Sequence, residues 1–192
     1  MGKDCSTPAV TSAQVTREIT SGPVDCVPAM SIDRFVESIR LFHFPNPPAS
    51  PEQLERFEKR VGWPLDEELR AFYLRSNGAA LFRRPDSPYR VLSLSEIVRA
   101  RVALFGSIGD TDAHGPASWF VLCSVQDGDY AAIDMSHTAQ GLHPVFECSR
   151  DSQPDAPRSA RIASSFSDFL ERALESDGRV YWLARDWAGI KR

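Results

Sequence analysis

An α+β domain, with a central and mainly antiparallel sheet flanked by helices, is predicted by three observations. Between residues 31 and 78, apolar side chains recur at three- and four-residue steps in three successive segments. Residues 119–123 and 130–134 are rich in aromatic and β-branched or small apolar side chains, and they flank Asp127-Gly128, a dipeptide suited to a tight hairpin turn. A last helical stripe follows at Phe166, Phe169, Leu170 and Leu174. Helices first, strands in the middle and a helix at the end fit an α+β arrangement.

Residues 1–30 hold many Ser, Thr and Pro with little sustained periodicity, so a flexible or loosely packed arm is expected. Within it, residues 10–19 alternate enough to add an edge strand. From residue 31, Ile32, Phe35, Val36, Ile39 and Phe42 trace one helix face, and Pro45, Pro47 and Pro48 end it. The next helix carries Leu54, Phe57 and Val61. Ser50 and Gln53 can form its capping box, with Pro51 at the first helical position. Past Gly62-Trp63-Pro64 the spacing restarts with Leu65, Leu69, Phe72, Tyr73 and Leu74. Asp66, Glu67 and Glu68 suit the positive end of this third helix, and Asn77-Gly78 suits its stop.

Residues 81–88 read as a loop and 89–92 as a short strand. Ser93 and Glu96 form a second capping-box pattern, predicting a helix that carries Ile97, Ala100, Arg101 and Leu104. Residues 106–117 are turn-rich. Residues 143–148 supply a further strand, with Pro144 favouring its start or an edge. A polar connection over residues 149–161 leads to the last helix, opened by Ser165 and Asp168 and ended by Gly178. The domain therefore spans residues 31–177. Residues 178–192 carry Tyr181, Trp182, Leu183, Trp187 and Ile190, an aromatic extension that must pack on the domain or on a partner.

The chain has 192 residues and a formal charge of −4, with no broad basic surface to track a nucleic-acid backbone, so direct nucleic-acid binding is not expected. No apolar run is long enough to span a bilayer, and the opening residues lack the basic-then-apolar order of a secretory signal. The expected location is cytoplasmic. Cys5, Cys26, Cys123 and Cys148 are widely separated and show no CxxC spacing, which favours unpaired, reduced thiols.

Nothing in the sequence assembles a catalytic, cofactor or metal site. His43, His114, His137 and His143 form no HExxH motif. Asp110, Asp112 and His114 alternate, but the remaining ligands of a calcium loop are missing. Asp134, Ser136 and His137 bring together triad residue types without a nucleophile elbow, and no phosphate-binding glycine loop is present. Glu52, Glu55 and Glu58 read as the wet face of a helix, with Glu52–Arg56 and Glu55–Lys59 at ion-pair spacing.

The order of these motifs resembles the SUKH superfamily. Its hallmark is similar to Glu58-Lys59-Arg60-Val61-Gly62-Trp63-Pro64-Leu65 followed by Leu69, Phe72, Tyr73 and Ser76-Asn77-Gly78. Residues 92–97, Ala132-Ile133-Asp134 and residues 162–170 resemble its later segments, so the likeness covers about residues 31–177. One departure is that the usual Leu-Pro is Leu65-Asp66, with the proline displaced to Pro64. The resemblance implies a non-enzymatic protein-binding module without cofactor. Many bacterial members are immunity proteins that neutralise a cognate toxin domain, often a nuclease; fungal members regulate cell-wall synthesis through protein contacts. A regulatory scaffold is thus one alternative, and a small hydrolase or metal-binding protein is another. Either a monomer or a homodimer is compatible with this pattern. Residues offered as partner contacts are Glu52, Glu55, Asp66, Glu67, Glu68, Asp110, Asp112, His114, Trp182 and Trp187. Acid-rich binding would favour approach to a basic nuclease.

Overall fold

The first apolar stripe folds as α1 (Ile32–Phe42), which buries Phe35, Val36 and Ile39. Phe42, predicted to continue that face, is 63% exposed. The chain turns extended at His43, so the helix ends before its last turn is covered. The computed structural model describes residues 31–82, 88–106, 115–151 and 159–190. The arm at residues 1–30, and the edge strand expected within it, lie outside the described residues.

Beyond α1 come β1 (Phe44–Pro45), α2 (Pro51–Val61) and α3 (Glu67–Tyr73). Next are β2 (Ala79–Leu81), β3 (Tyr89–Val91), α4 (Ala100–Phe105), β4 (Trp119–Val125) and β5 (Tyr130–Asp134). β6 (Val145–Cys148), β7 (Arg161–Ala163) and α5 (Phe166–Glu175) complete the order. The seven strands form one sheet in sequential order, and every neighbouring pair is antiparallel. The α+β prediction therefore holds, with a larger sheet than the sequence signals implied. β1, β2 and β7 were read as loop or helix approach; each has only two or three residues, too few for alternation to register.

The hairpin at Asp127-Gly128 forms as predicted. Both residues have positive φ, 62° and 81°, as a type I′ turn requires, and they join β4 to β5. β4 is buried along Trp119, Phe120, Val121, Leu122 and Cys123. Such a run, rather than alternation, marks a strand covered on both faces.

The predicted helix at Ser93 is delayed. Glu96 and Ile97 N–H groups donate to Ser93 O, closing one turn. Val121 N–H then donates to Val98 O at 3.0 Å, and Arg99 pairs with Phe120, so β4 holds these residues extended until α4 begins. At the last helix Ser165 Oγ accepts from Asp168 N–H, but the Asp168 carboxylate reaches Ser164 N–H and Oγ instead of closing a box with Ser165.

The aromatic extension packs on the domain. Trp182 is 7% exposed and meets Tyr89 and Phe169 at ring-centroid distances of 6.0 and 6.3 Å. Tyr89 Oη donates to Arg179 O, Tyr181 N–H donates to Tyr89 Oη, and Tyr181 Oη donates to Ile162 O.

At Ser76-Asn77-Gly78 the backbone passes close against residues 91–93. Gly78 has φ +87°, and a Cβ placed on it would lie 2.6 Å from Val91 O and 2.9 Å from Ser93 N. Gly62, which stops α2, has φ +86° but open space around it. Gly78→Ala is therefore expected to cost about 2–5 kcal/mol, combining left-handed strain with a backbone clash. Gly62→Ala, with strain alone, is expected to cost about 1–2 kcal/mol. Urea unfolding of both variants measures the difference; equal losses would contradict this packing.

Candidate partner-binding site

α2 carries the site. Its start is fixed by a complete capping box: Ser50 Oγ accepts from Gln53 N–H and Gln53 Oε1 accepts from Ser50 N–H at 2.7 Å. Leu54, Phe57 and Val61 turn inward. Gln53, Arg56, Phe57 and Arg60, at helical i, i+3, i+4 and i+7 spacing, line the wall of a groove, joined by Lys59. Asn77, Leu94 and Ser95 line it as well, and its volume is about 660 Å³.

Two side chains set this geometry. Arg60 donates from Nη1 to Ile97 O at 2.9 Å and from Nη2 to Leu94 O at 2.6 Å, while its guanidinium sits 5.3 Å from the Phe57 ring centre. Asn77 Oδ1 accepts from Leu94 N–H at 2.9 Å. The turn after β3 is thus held to α2 from one side and to the Asn77-Gly78 crossing from the other. Glu96 stiffens the same turn, accepting from Ser93 N–H and Oγ and pairing with Arg90. The Ser93 hydroxyl is the leading cause that pulls the Glu96 carboxyl down to about 2, burial opposing it and Arg90 assisting.

The acidic candidates separate into two sets. Asp66 is not available to a partner, since it is only 7% exposed. Its carboxylate accepts from Leu69 N–H at 2.9 Å, capping α3, and from His143 N–H at 3.0 Å, fastening the approach to β6. Glu68 is half-buried and accepts from Ser167 N–H at 2.8 Å, in the first turn of α5. Glu58, read as part of the wet face, also works inside: it accepts from Leu65 N–H and pairs with Arg70, bridging α2 to α3.

Glu52, Glu55 and Glu67 are exposed. Glu52 accepts from Ser50 Oγ at 2.6 Å, the main cause holding its carboxyl below the ordinary value. Among the described residues, neither Glu52–Arg56 nor Glu55–Lys59 closes as an ion pair. Asp110, Asp112 and His114 lie outside the described residues. Trp182 is buried in the core; Trp187 is half-buried and lines a second hollow of about 320 Å³ with Arg179, Tyr181 and Asp186. Among the described residues, the seven remaining candidates do not share one exposed face. The groove cations were passed over because helical spacing assigns Arg56, Lys59 and Arg60 to a solvent side without naming the element opposite.

Groups with catalytic residue types have other geometry. Ser136 Oγ and N–H both donate to Asp134 Oδ1, closing a turn, so that hydroxyl proton is directed to a carboxylate and not to an imidazole. Cys123 and Cys148 are free and buried; burial raises both thiols, Cys148 to about 12, which disfavours thiolate chemistry. Among the described residues, no group of three or more His, Cys, Asp and Glu is placed to hold a metal ion, and no helix is long and apolar enough to cross a membrane.

Residues 48–172 match the SMI1 / KNR4 family (SUKH-1), a span that takes in α2, α3, the groove and strands β2 to β7. The chain belongs to this family. It is similar to the immunity protein YokJ of Bacillus subtilis (strain 168), with 26% identity over 168 residues, covering 84% of this chain and 94% of that protein. It is also similar to the uncharacterized protein YnaB of the same organism, with 25% identity over 141 residues, covering 73% and 86%. As a SUKH-1 domain, the chain builds its groove from the family's hairpin and the turn after β3.

The depressed Glu96 carboxyl gives a pH signature. Its contribution is present above the ordinary value of 4.5 and is lost as pH falls towards about 2. Glu96→Gln is expected to be less stable than the parent at pH 7 by about 1 kcal/mol or less, given its exposure to solvent. Denaturant unfolding between pH 7 and pH 2 should show that gap closing over the acid range; a constant gap would contradict the role assigned to Glu96.

Proposed function

We propose that this SUKH-1 domain is a non-enzymatic immunity protein, which binds a toxin domain stoichiometrically and blocks it inside the cell that makes both. The observation that carries this reading is the similarity to an immunity protein along nearly the full length of both chains. A rigid, multiply anchored groove on the family's hairpin supports the same reading, because a preorganised surface binds at lower entropic cost. A nuclease is one target class that this reading allows. Exposed Glu52, Glu55 and Glu67 offer such a toxin an acidic margin, without Asp66 and Glu68, which serve inside the fold.

The test is co-expression with the toxin domain encoded beside the gene. Protection of growth and a one-to-one complex of the purified pair are expected. Neither protection nor association would overturn the proposal.

A further inference from the structure

The two charged surfaces of α2 differ in construction. Glu52 and Glu55 stand exposed one turn before Arg56 and Lys59 and lie outside the groove lining, whereas Arg56, Lys59 and Arg60 line it. Arg60 is immobilised by two backbone carbonyls and the Phe57 ring, so one positive charge is fixed in the wall. Arg56 and Lys59 stand exposed beside it, and among the described residues neither forms an ion pair. Gln53, Asn77 and Ser95 add polar groups, Phe57 and Leu94, each 4% exposed, form its floor, and among the described residues no carboxylate lines the groove. In a chain of net charge −4, this is a local inversion of sign.

We propose that the groove between α2 and residues 94–95 receives an acidic segment of a protein partner, with carboxylates against Arg56 and Lys59. This deepens, and rests on, the immunity reading, by giving the toxin's docking segment a chemistry. Charge complementarity selects an anionic occupant. The short cationic run selects a peptide over nucleic acid, which calls for an extended basic track.

The full chain is used as bait for a phage-displayed library of random peptides about a dozen residues long. Enriched clones should carry an excess of Asp and Glu. They should bind Arg56→Gln/Lys59→Gln at least about tenfold more weakly, and Glu37→Gln/Glu175→Gln, on α1 and α5, with unchanged affinity. All four positions are exposed, and circular dichroism checks that both variants fold. No enrichment, enrichment without an acidic excess, or equal binding to Arg56→Gln/Lys59→Gln overturns the proposal. Tighter binding of a single-stranded RNA of similar length overturns it in favour of a nucleic-acid site. The toxin assay separates the two levels. A parent chain that protects while Arg56→Gln/Lys59→Gln protects equally well removes the groove from the immunity mechanism. A parent chain that fails to protect removes the immunity reading, and the peptide result still decides what the groove binds.

Discussion

Much of this structure depends on the backbone crossing at Gly78. No side chain can be accommodated there, because a Cβ would enter the backbone of residues 91–93. The close approach is fastened on both sides. Asn46 N–H donates to Gly78 O, Ser76 Oγ also donates to Gly78 O, and Asn77 N–H donates to Pro47 O. Tyr73 Oη reaches Leu92 O from the preceding helix, and Asn77 Oδ1 takes the Leu94 N–H. The stop of α3, the start of β2 and the turn after β3 are therefore one unit. The groove is a consequence: Asn77 lines it, and Leu94 is held in place by the same residue.

Charged residues divide between internal fastening and outward presentation. Asp66 and Glu68 lie in the α3 cap and first turn, yet their carboxylates bind N–H groups 77 and 99 positions away in sequence. A buried carboxylate satisfied by two N–H donors is committed, since withdrawing it would leave those donors unpaired. Glu58 does comparable work across the turn between α2 and α3. On the outer side, Arg60 acts as a strut as well as a charge. Around the groove, Arg56 and Lys59 in its wall and Glu52, Glu55 and Glu67 outside it are left exposed.

The helical skeleton was legible in the sequence where apolar period and cap chemistry agreed, as at Ser50 with Gln53, at Asp66, and at Asp127-Gly128 between the strands. Elements whose cause lies elsewhere in the chain were not. β2 is Ala79-Ala80-Leu81, a composition with little strand preference, and it forms because Gly78 delivers it against β3. The box at Ser93 forms locally, but pairing of residues 98–99 with β4 postpones the helix. For the site, the family motif was readable while its groove was not. Spacing told that Arg56 and Lys59 leave the core, and only tertiary structure brings Leu94 and Ser95 across from them. The buried ends of Asp66 and Trp182 were missed for the same reason, their partners being distant in sequence.

A structure of the chain bound to the toxin domain encoded beside it measures the central claim most directly. The account predicts carboxylates of that domain against Arg56 and Lys59, and an unchanged Asn77–Leu94 contact. A complex that leaves this groove open to solvent would contradict it.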